Sequence, residues 1–183
     1  MVTSTEQELV HAVDLGEGVT ASVSDRVLTV KGPLGTVKKR FDRIHVNIGV
    51  RDGRVEITPF TDRKKDVVTS NTMSSLVRNM VIGVTKGYTY KLKVVFAHFP
   101  VTVKVKGRNV NVENFVGERS ARVTDIVGDC KVSVEGDDII IKGVSLEDVG
   151  QTSANLEQAT KIKRKDQRIF LDGVYVYEKK KGW

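Results

Sequence analysis

The chain has 183 residues, enough for one large domain or two small ones. Its 39% hydrophobic and 29% charged residues exclude both a disordered chain and a membrane-embedded one. The net charge of +7 asks for an acidic partner.

That charge is uneven. Residues 1–82 hold 12 Lys and Arg against 10 Asp and Glu, and residues 83–160 hold 10 of each. Residues 161–183 hold 8 against 3, so +5 of the +7 sits in the last 23 residues. The first eight residues, Met-Val-Thr-Ser-Thr-Glu-Gln-Glu, lack the basic start and apolar core of a signal peptide. The apolar runs are too short to span a bilayer. One cysteine, Cys130, allows no disulfide within the chain, which fits a reducing compartment, and its expected role is that of a small core residue. A cytoplasmic protein that does not act on membranes is expected.

In chain order, 9–13, 19–23 and 27–30 cluster or alternate apolar residues as strands do. Gly32-Pro33-Leu34-Gly35 breaks the pattern as a turn, and 37–41 resumes it. The runs 46–48 and 55–57 read as a hairpin through Asp52-Gly53. The period then changes. Met73, Leu76, Val77, Met80, Val81 and Val84 fall on one helical stripe, with Asp62 and Asp66 in the first turns and Gly83 and Gly87 at the end. A stripe of this kind covers a sheet.

The order repeats. Residues 88–96, 101–105 and 110–112 read as strands. The runs 132–134 and 139–141 read as a hairpin, and Ser145-Leu-Glu-Asp148 caps a helix reaching about Thr160. Four matches share one offset: 101−19, 109−27, 117−35 and 148−66 each give 82. The expectation is an α+β chain of two tandem similar domains, each an antiparallel sheet covered by one helix, at 1–82 and 83–183, joined without a flexible linker near 83–87.

No catalytic or metal-binding constellation stands out. His11, His45 and His98 are scattered, and there is neither a Walker loop nor a nucleophile elbow. No enzyme activity, small-molecule substrate, metal or cofactor is expected. The densest chemistry is the basic run Lys161, Lys163, Arg164, Lys165 and Arg168, opposed only by Asp166, followed by Lys179, Lys180 and Lys181. Ile162, Ile169, Phe170 and Tyr175 are its expected anchors, and Asp172-Gly173 reads as a turn with positive φ. Cations ordered by apolar anchors suit a polyanion such as RNA. A merely solvated basic end is the alternative.

Several segments, in order, resemble the universal large-subunit ribosomal protein L-six family in its archaeal and eukaryotic form. They are Val30-Lys-Gly-Pro-Leu-Gly35, Phe96-Ala-His-Phe-Pro100, Asn114-Phe-Val-Gly-Glu118 and Asp148-Val-Gly-Gln-Thr152. The series ends with Gln158…Ile162…Lys165…Arg168-Ile-Phe170-Leu-Asp172-Gly-Val-Tyr175-Val. The resemblance covers nearly the whole chain. One departure is Leu34, where many relatives place a basic residue, which removes a cation from that loop tip. The resemblance implies a structural constituent of the large ribosomal subunit that binds large-subunit rRNA near the sarcin–ricin loop and the landing site of translational GTPases. Neighbouring ribosomal proteins and translation factors would be close by. It implies RNA contacts mainly from the second domain, and adds Gln151 and Asn155 at the helix start. Two readings outside the family stay open at this point: a nucleic-acid-binding module working off the ribosome, and a protein scaffold with a basic tail.

Overall fold

The computed structural model of the protein describes residues 11–42, 44–163, 165–166 and 168–183. Leu9 and Val10 of the expected first strand, and Arg164 of the basic run, lie outside the described residues. The chain divides into two compact units, Met1–Thr85 and Lys86–Trp183. The division falls three residues later than 82/83 because the helix of the first unit continues through Gly83 to Thr85.

The first unit holds strands β1 (His11–Asp14), β2 (Thr20–Ser24), β3 (Val27–Gly32), β4 (Gly35–Arg40), β5 (Val46–Arg51) and β6 (Arg54–Pro59), then helix α1 (Lys64–Thr85). They make two antiparallel sheets, ordered β1-β6-β5 and β2-β3-β4. Helix α1 buries Met73, Val77, Met80 and Val84 against them. Ser70, Ser74 and Gly83 of the helix are buried too, so small side chains bring it close to the sheets. Leu76 and Val81 of the expected stripe are half-buried on its flanks. Asp66 is in the first turn, whereas Asp62 precedes the helix, because α1 begins only at Lys64. Gly32 lies close against the helix: a Cβ there would lie 2.7 Å from Val84 Cγ2. Leu34 N–H donates to the Val84 carbonyl at 3.0 Å, giving that carbonyl at the helix end a partner.

The second unit repeats the plan. Its elements are β7 (Tyr88–Val95), β8 (Thr102–Lys106), β9 (Asn109–Glu113), a 3-10 turn (Phe115–Gly117), β10 (Arg122–Asp125), β11 (Lys131–Glu135), β12 (Asp138–Gly143), α2 (Leu146–Ala159) and β13 (Gly173–Lys181). The sheets are ordered β11-β12-β7-β13 and β10-β9-β8. With β13 set aside, both orders match those of the first unit. The register of β8 on β9 is that of β2 on β3 moved by 82 residues, since Thr20↔Lys31 becomes Thr102↔Glu113. The helices start with the same displacement, 146−64. The duplication is therefore structural.

Strand β10 was not expected from the sequence: Arg122-Val-Thr-Asp125 is short and has only one residue, Thr124, buried. The Ser145 hydroxyl caps α2 by accepting from Asp148 N–H at 3.3 Å, with Glu147 and Asp148 in the favourable first turn. Strand β13 is added at the β7 edge of the sheet, and α2 covers it. Val174 N–H donates to Thr160 Oγ1 at 3.0 Å and Val176 N–H to Glu157 Oε1 at 2.8 Å. An edge strand's free amides are thus given partners inside the unit.

The Asp172-Gly173 turn is not formed. Gly173 lacks a positive φ and is already paired with Val95 as the first residue of β13. Asp172 is buried instead, as a hydrogen-bond acceptor for the loop after β7. No described helix is long and apolar enough to cross a membrane.

Candidate nucleic-acid interface

The basic run is an arch between the end of α2 and the start of β13. Its footing begins with Ile162, 8% exposed, which sits in a cluster with Val112 and Phe115; Val101, Val103, Val116 and Phe170 pack around it. Burying an aliphatic side chain of this size contributes roughly 1.5–3 kcal/mol, so Ile162 fixes the arch at its first turn. Phe115 opens the 3-10 turn, where Asn114, Val116 and Gly117 all have positive φ. Asn114 Nδ2 donates to the Pro100 carbonyl at 2.9 Å and holds that turn in place. Arg122 braces the same place: its guanidinium donates to the carbonyls of Ala159 and Lys161, forks onto Glu118, and lies 4.4 Å above the Phe115 ring.

The far footing is Asp172, 3% exposed. Its Oδ1 accepts from Ala97 N–H at 2.8 Å and His98 N–H at 3.3 Å, and its Oδ2 accepts from His98 Nδ1–H at 2.8 Å. The ring nitrogen is the donor because a carboxylate can only accept. Burial pushes this carboxyl up, but the Ala97 amide and the two His98 donors outweigh it and hold it below the ordinary value of 3.8. His98 then stacks on Phe170 at 4.7 Å between ring centroids, and Lys165 Nζ lies 4.3 Å above the other partner of that stack, Phe170. A chain of contacts runs from a buried carboxylate to an exposed cation.

Of the expected anchors, Ile162 and Phe170 hold the arch. Ile169 is 67% exposed and Tyr175 about half exposed, so neither does; Val174 and Asp172 are the buried residues at that end. The alternation of β13 explains the exposure of Tyr175: Val174 points to the side that α2 covers, and Tyr175 to the opposite face of the sheet. Tyr175 only closes the arch locally, its hydroxyl donating to the Leu171 carbonyl at 3.2 Å.

Lys161, Lys163, Lys165 and Arg168 are all exposed on this arch. Arg168 is engaged: its guanidinium forks onto Asp166 at 3.1 and 2.9 Å and holds that carboxyl below its usual range. Lys179, Lys180 and Lys181 are in a strand, not a tail, and β-alternation divides them. Lys179 and Lys181 pair with Tyr90 and Tyr88, with Lys179 Nζ 5.3 Å over the Tyr90 ring. Lys180 points to the other face, where Glu178 bonds both it and Lys91 at 2.8 Å. The three therefore do not form one continuous path with the arch. Gln151 and Asn155 stand one turn apart on α2, joined by a 2.8 Å bond from Gln151 Nε2 to Asn155 Oδ1.

Sequence reasoning missed Arg122, Asp172 and Phe115 as the parts that shape the arch. Only the spacing of Asp172 from the basic run was visible; its partners lie more than 70 residues away. Among the described residues, no three His, Cys, Asp or Glu side chains are grouped to hold a metal. Cys130 is half-buried, and burial pushes its thiol up to about 11, which keeps it unreactive at neutral pH.

The profile of the family described as "Ribosomal protein L6" matches the chain twice, at residues 15–87 and 99–173, one copy in each unit. Similar proteins named "Large ribosomal subunit protein uL6" occur in archaea. That of Methanosarcina mazei is 43% identical over 173 residues, 94% of this chain and 98% of its own length. That of Staphylothermus marinus is 45% identical over 172 residues, 91% of this chain and 92% of its own. That of Methanobrevibacter smithii is 44% identical over 167 residues, 91% and 94%. With both units matched and full-length relatives at this identity, the chain belongs to the ribosomal protein L6 family.

Proposed function

We propose that the arch at 161–172 is the main rRNA-binding element of the chain, and that it docks on large-subunit rRNA near the sarcin–ricin loop, beside the landing site of translational GTPases. The family consists of structural ribosomal proteins, not enzymes, so the chain is a component of the large ribosomal subunit, and its place is the cytoplasmic ribosome. The observation that carries the finer reading is the double footing: exposed lysines stand on a segment pinned by Ile162 at one end and Asp172 at the other. Folded RNA offers a deep, narrow major groove that side chains cannot read, so it is bound through its shape and phosphates. A pinned row of cations binds phosphates without first having to be ordered, which lowers the entropic cost of association. Lys161, Lys163, Lys165 and Arg168 supply the charge, with Arg168 exchanging Asp166 for a phosphate. Arg164 belongs to the same sequence run. Lys179 and Lys181 reach RNA from the sheet, as a second patch, and Gln151 with Asn155 add neutral polar contacts from α2.

The test is a salt titration. Replacing Lys161, Lys163, Lys165 and Arg168 with Gln should flatten the slope of log K against log salt by about 3, at roughly 0.7–0.9 per phosphate contact. Wild-type protein should protect the sarcin–ricin region of deproteinised rRNA from chemical probing, and the variant should not. An unchanged slope would refute the arch as the contact. A changed slope with protection elsewhere would refute the location.

A further inference from the structure

The internal duplication supplies a control for every surface, because each feature of one unit can be set against its counterpart in the other. The outward faces of the β2-β3-β4 sheet and of its counterpart, β8-β9-β10, differ sharply. In the first unit the register builds three cross-strand rows: Thr20–Lys31–Thr36, Ser22–Thr29–Lys38 and Ser24–Val27–Arg40. Each row carries one cation, and none carries a carboxylate. The alternate residues point the other way, where Leu28 and Val30 are fully buried. Lys31, Lys38 and Arg40 are exposed, as are the hydroxyl residues Thr20, Ser22 and Thr36. Same-face neighbours along a strand are about 6.6 Å apart and adjacent strands about 4.8 Å, so the face is a grid of donors.

The counterpart in the second unit has the same geometry and a different chemistry. Its rows are Thr102–Glu113, Lys104–Asn111–Val123 and Lys106–Asn109–Asp125. Two lysines are offset by two carboxylates there, and Lys104 Nζ bonds Glu113 Oε2 at 2.6 Å. In the first unit the only cation of the face paired with a carboxylate, among the described residues, is Arg40, with Asp42 beyond the strand end at 3.4 Å. The same fold carries +3 on one face and 0 on the other.

We infer that the β2-β3-β4 face of the first unit is a second nucleic-acid-binding surface, which grips a phosphodiester backbone through Lys31, Lys38, Arg40 and the hydroxyls between them. Phosphate contacts are made by Lys, Arg, Ser and Thr, the residue types of this grid. It has no aromatic ring to stack a base and no large exposed apolar anchor of the kind that dominates protein–protein interfaces. An acidic protein is thereby disfavoured, and contact is independent of base sequence. The proposal does not depend on the arch: each surface has its own variant, and either can fail alone.

The experiment uses the full chain. Replacing Lys31, Lys38 and Arg40 with Gln should flatten the salt slope for deproteinised large-subunit rRNA by about 2 to 3, at roughly 0.7–0.9 per contact. The matched variant Lys104→Gln with Lys106→Gln should change it by less than 1. In native protein bound to that rRNA, Lys31 and Lys38 should be protected from acetylation and Lys104 should not, a readout that needs no mutation. An unaltered slope, or lysines that acetylate equally with and without RNA, would overturn the inference. So would a variant that loses binding to polyglutamate while keeping rRNA binding, since the surface would then serve an acidic protein.

Discussion

Replacing Asp172 with Ala tests how the basic arch is held. Three hydrogen bonds end on this buried carboxylate, from Ala97 N–H, His98 N–H and His98 Nδ1–H. Hydrogen bonds to a charged partner contribute about 1.5–3 kcal/mol each, and two main-chain donors would be left without an acceptor. Part of that loss returns, because the carboxylate no longer has to be desolvated and water can reach a site that is only part-buried. A net cost of roughly 3–4 kcal/mol follows. For a unit of this size each kcal/mol moves the midpoint by about 4–8 °C, so its melting transition should fall by roughly 12–30 °C. The pH dependence gives an independent check. The folded pKa of Asp172 lies below the ordinary 3.8, so its contribution is fully present above about pH 5 and is lost as pH falls through the folded value. The gap between wild type and Asp172→Ala, followed by calorimetry from pH 7 to pH 3, should therefore narrow below about pH 4. A gap that stays constant across that range would refute the carboxylate as its source. A gap near zero at pH 7 would refute the footing altogether.

Two glycines should behave differently under one methyl. Gly32→Ala puts a Cβ 2.7 Å from Val84 Cγ2 and 2.9 Å from its carbonyl oxygen, so urea unfolding should show a loss of about 1–3 kcal/mol in the first unit. Gly173→Ala meets exposed Tyr175 first, at 3.0 Å, and that side chain can swing out, so it should cost less than about 1 kcal/mol; equal costs would show that Tyr175 is held more firmly than its exposure implies. Expressed separately, residues 1–85 and 86–183 should each show cooperative melting by circular dichroism, with the second piece binding sarcin–ricin rRNA at least tenfold more tightly at 0.1 M salt. Failure of either piece to fold would make the units halves of one core, and equal affinity would misplace the main site.

What the sequence made legible was local. Most strands of each unit, the Asp52-Gly53 hairpin, the Ser145 cap and the 82-residue offset all depend on residues within a few positions or on pattern repetition. What it hid depended on distance along the chain. Asp172 next to Gly173 has the composition of a turn, yet its partners Ala97 and His98 come from the loop after β7, and burial converts a turn residue into a buried acceptor. Ile169 and Tyr175 have the side chains of anchors, but Ile169 is exposed in the segment before β13, and the alternation set by β13 on β7 turns Tyr175 away from the interior. Strand β10 escaped because Arg122 is occupied with Glu118, Ala159 and Phe115, a tertiary task that its local sequence does not announce. The three terminal lysines look like one basic tail in one dimension; pairing with β7 sends Lys180 to one face and Lys179 and Lys181 to the other.

The duplication explains how one chain carries two kinds of surface. Copies of one plan start with the same sheets, the same helix and the same face positions, so stability constrains both interiors alike. Outward positions are free to diverge, because exposed substitutions generally cost within about 0.5 kcal/mol. The second unit has β13 and the arch before it, which holds Lys161, Lys163 and Lys165 on a pinned segment, and the outward face of its β8-β9-β10 sheet is neutral through Glu113 and Asp125. Among the described residues the first unit has no counterpart of β13, and its β2-β3-β4 face carries three cations without a carboxylate. The second unit thus presents its densest basic run on the arch, and the first presents three cations on one sheet face.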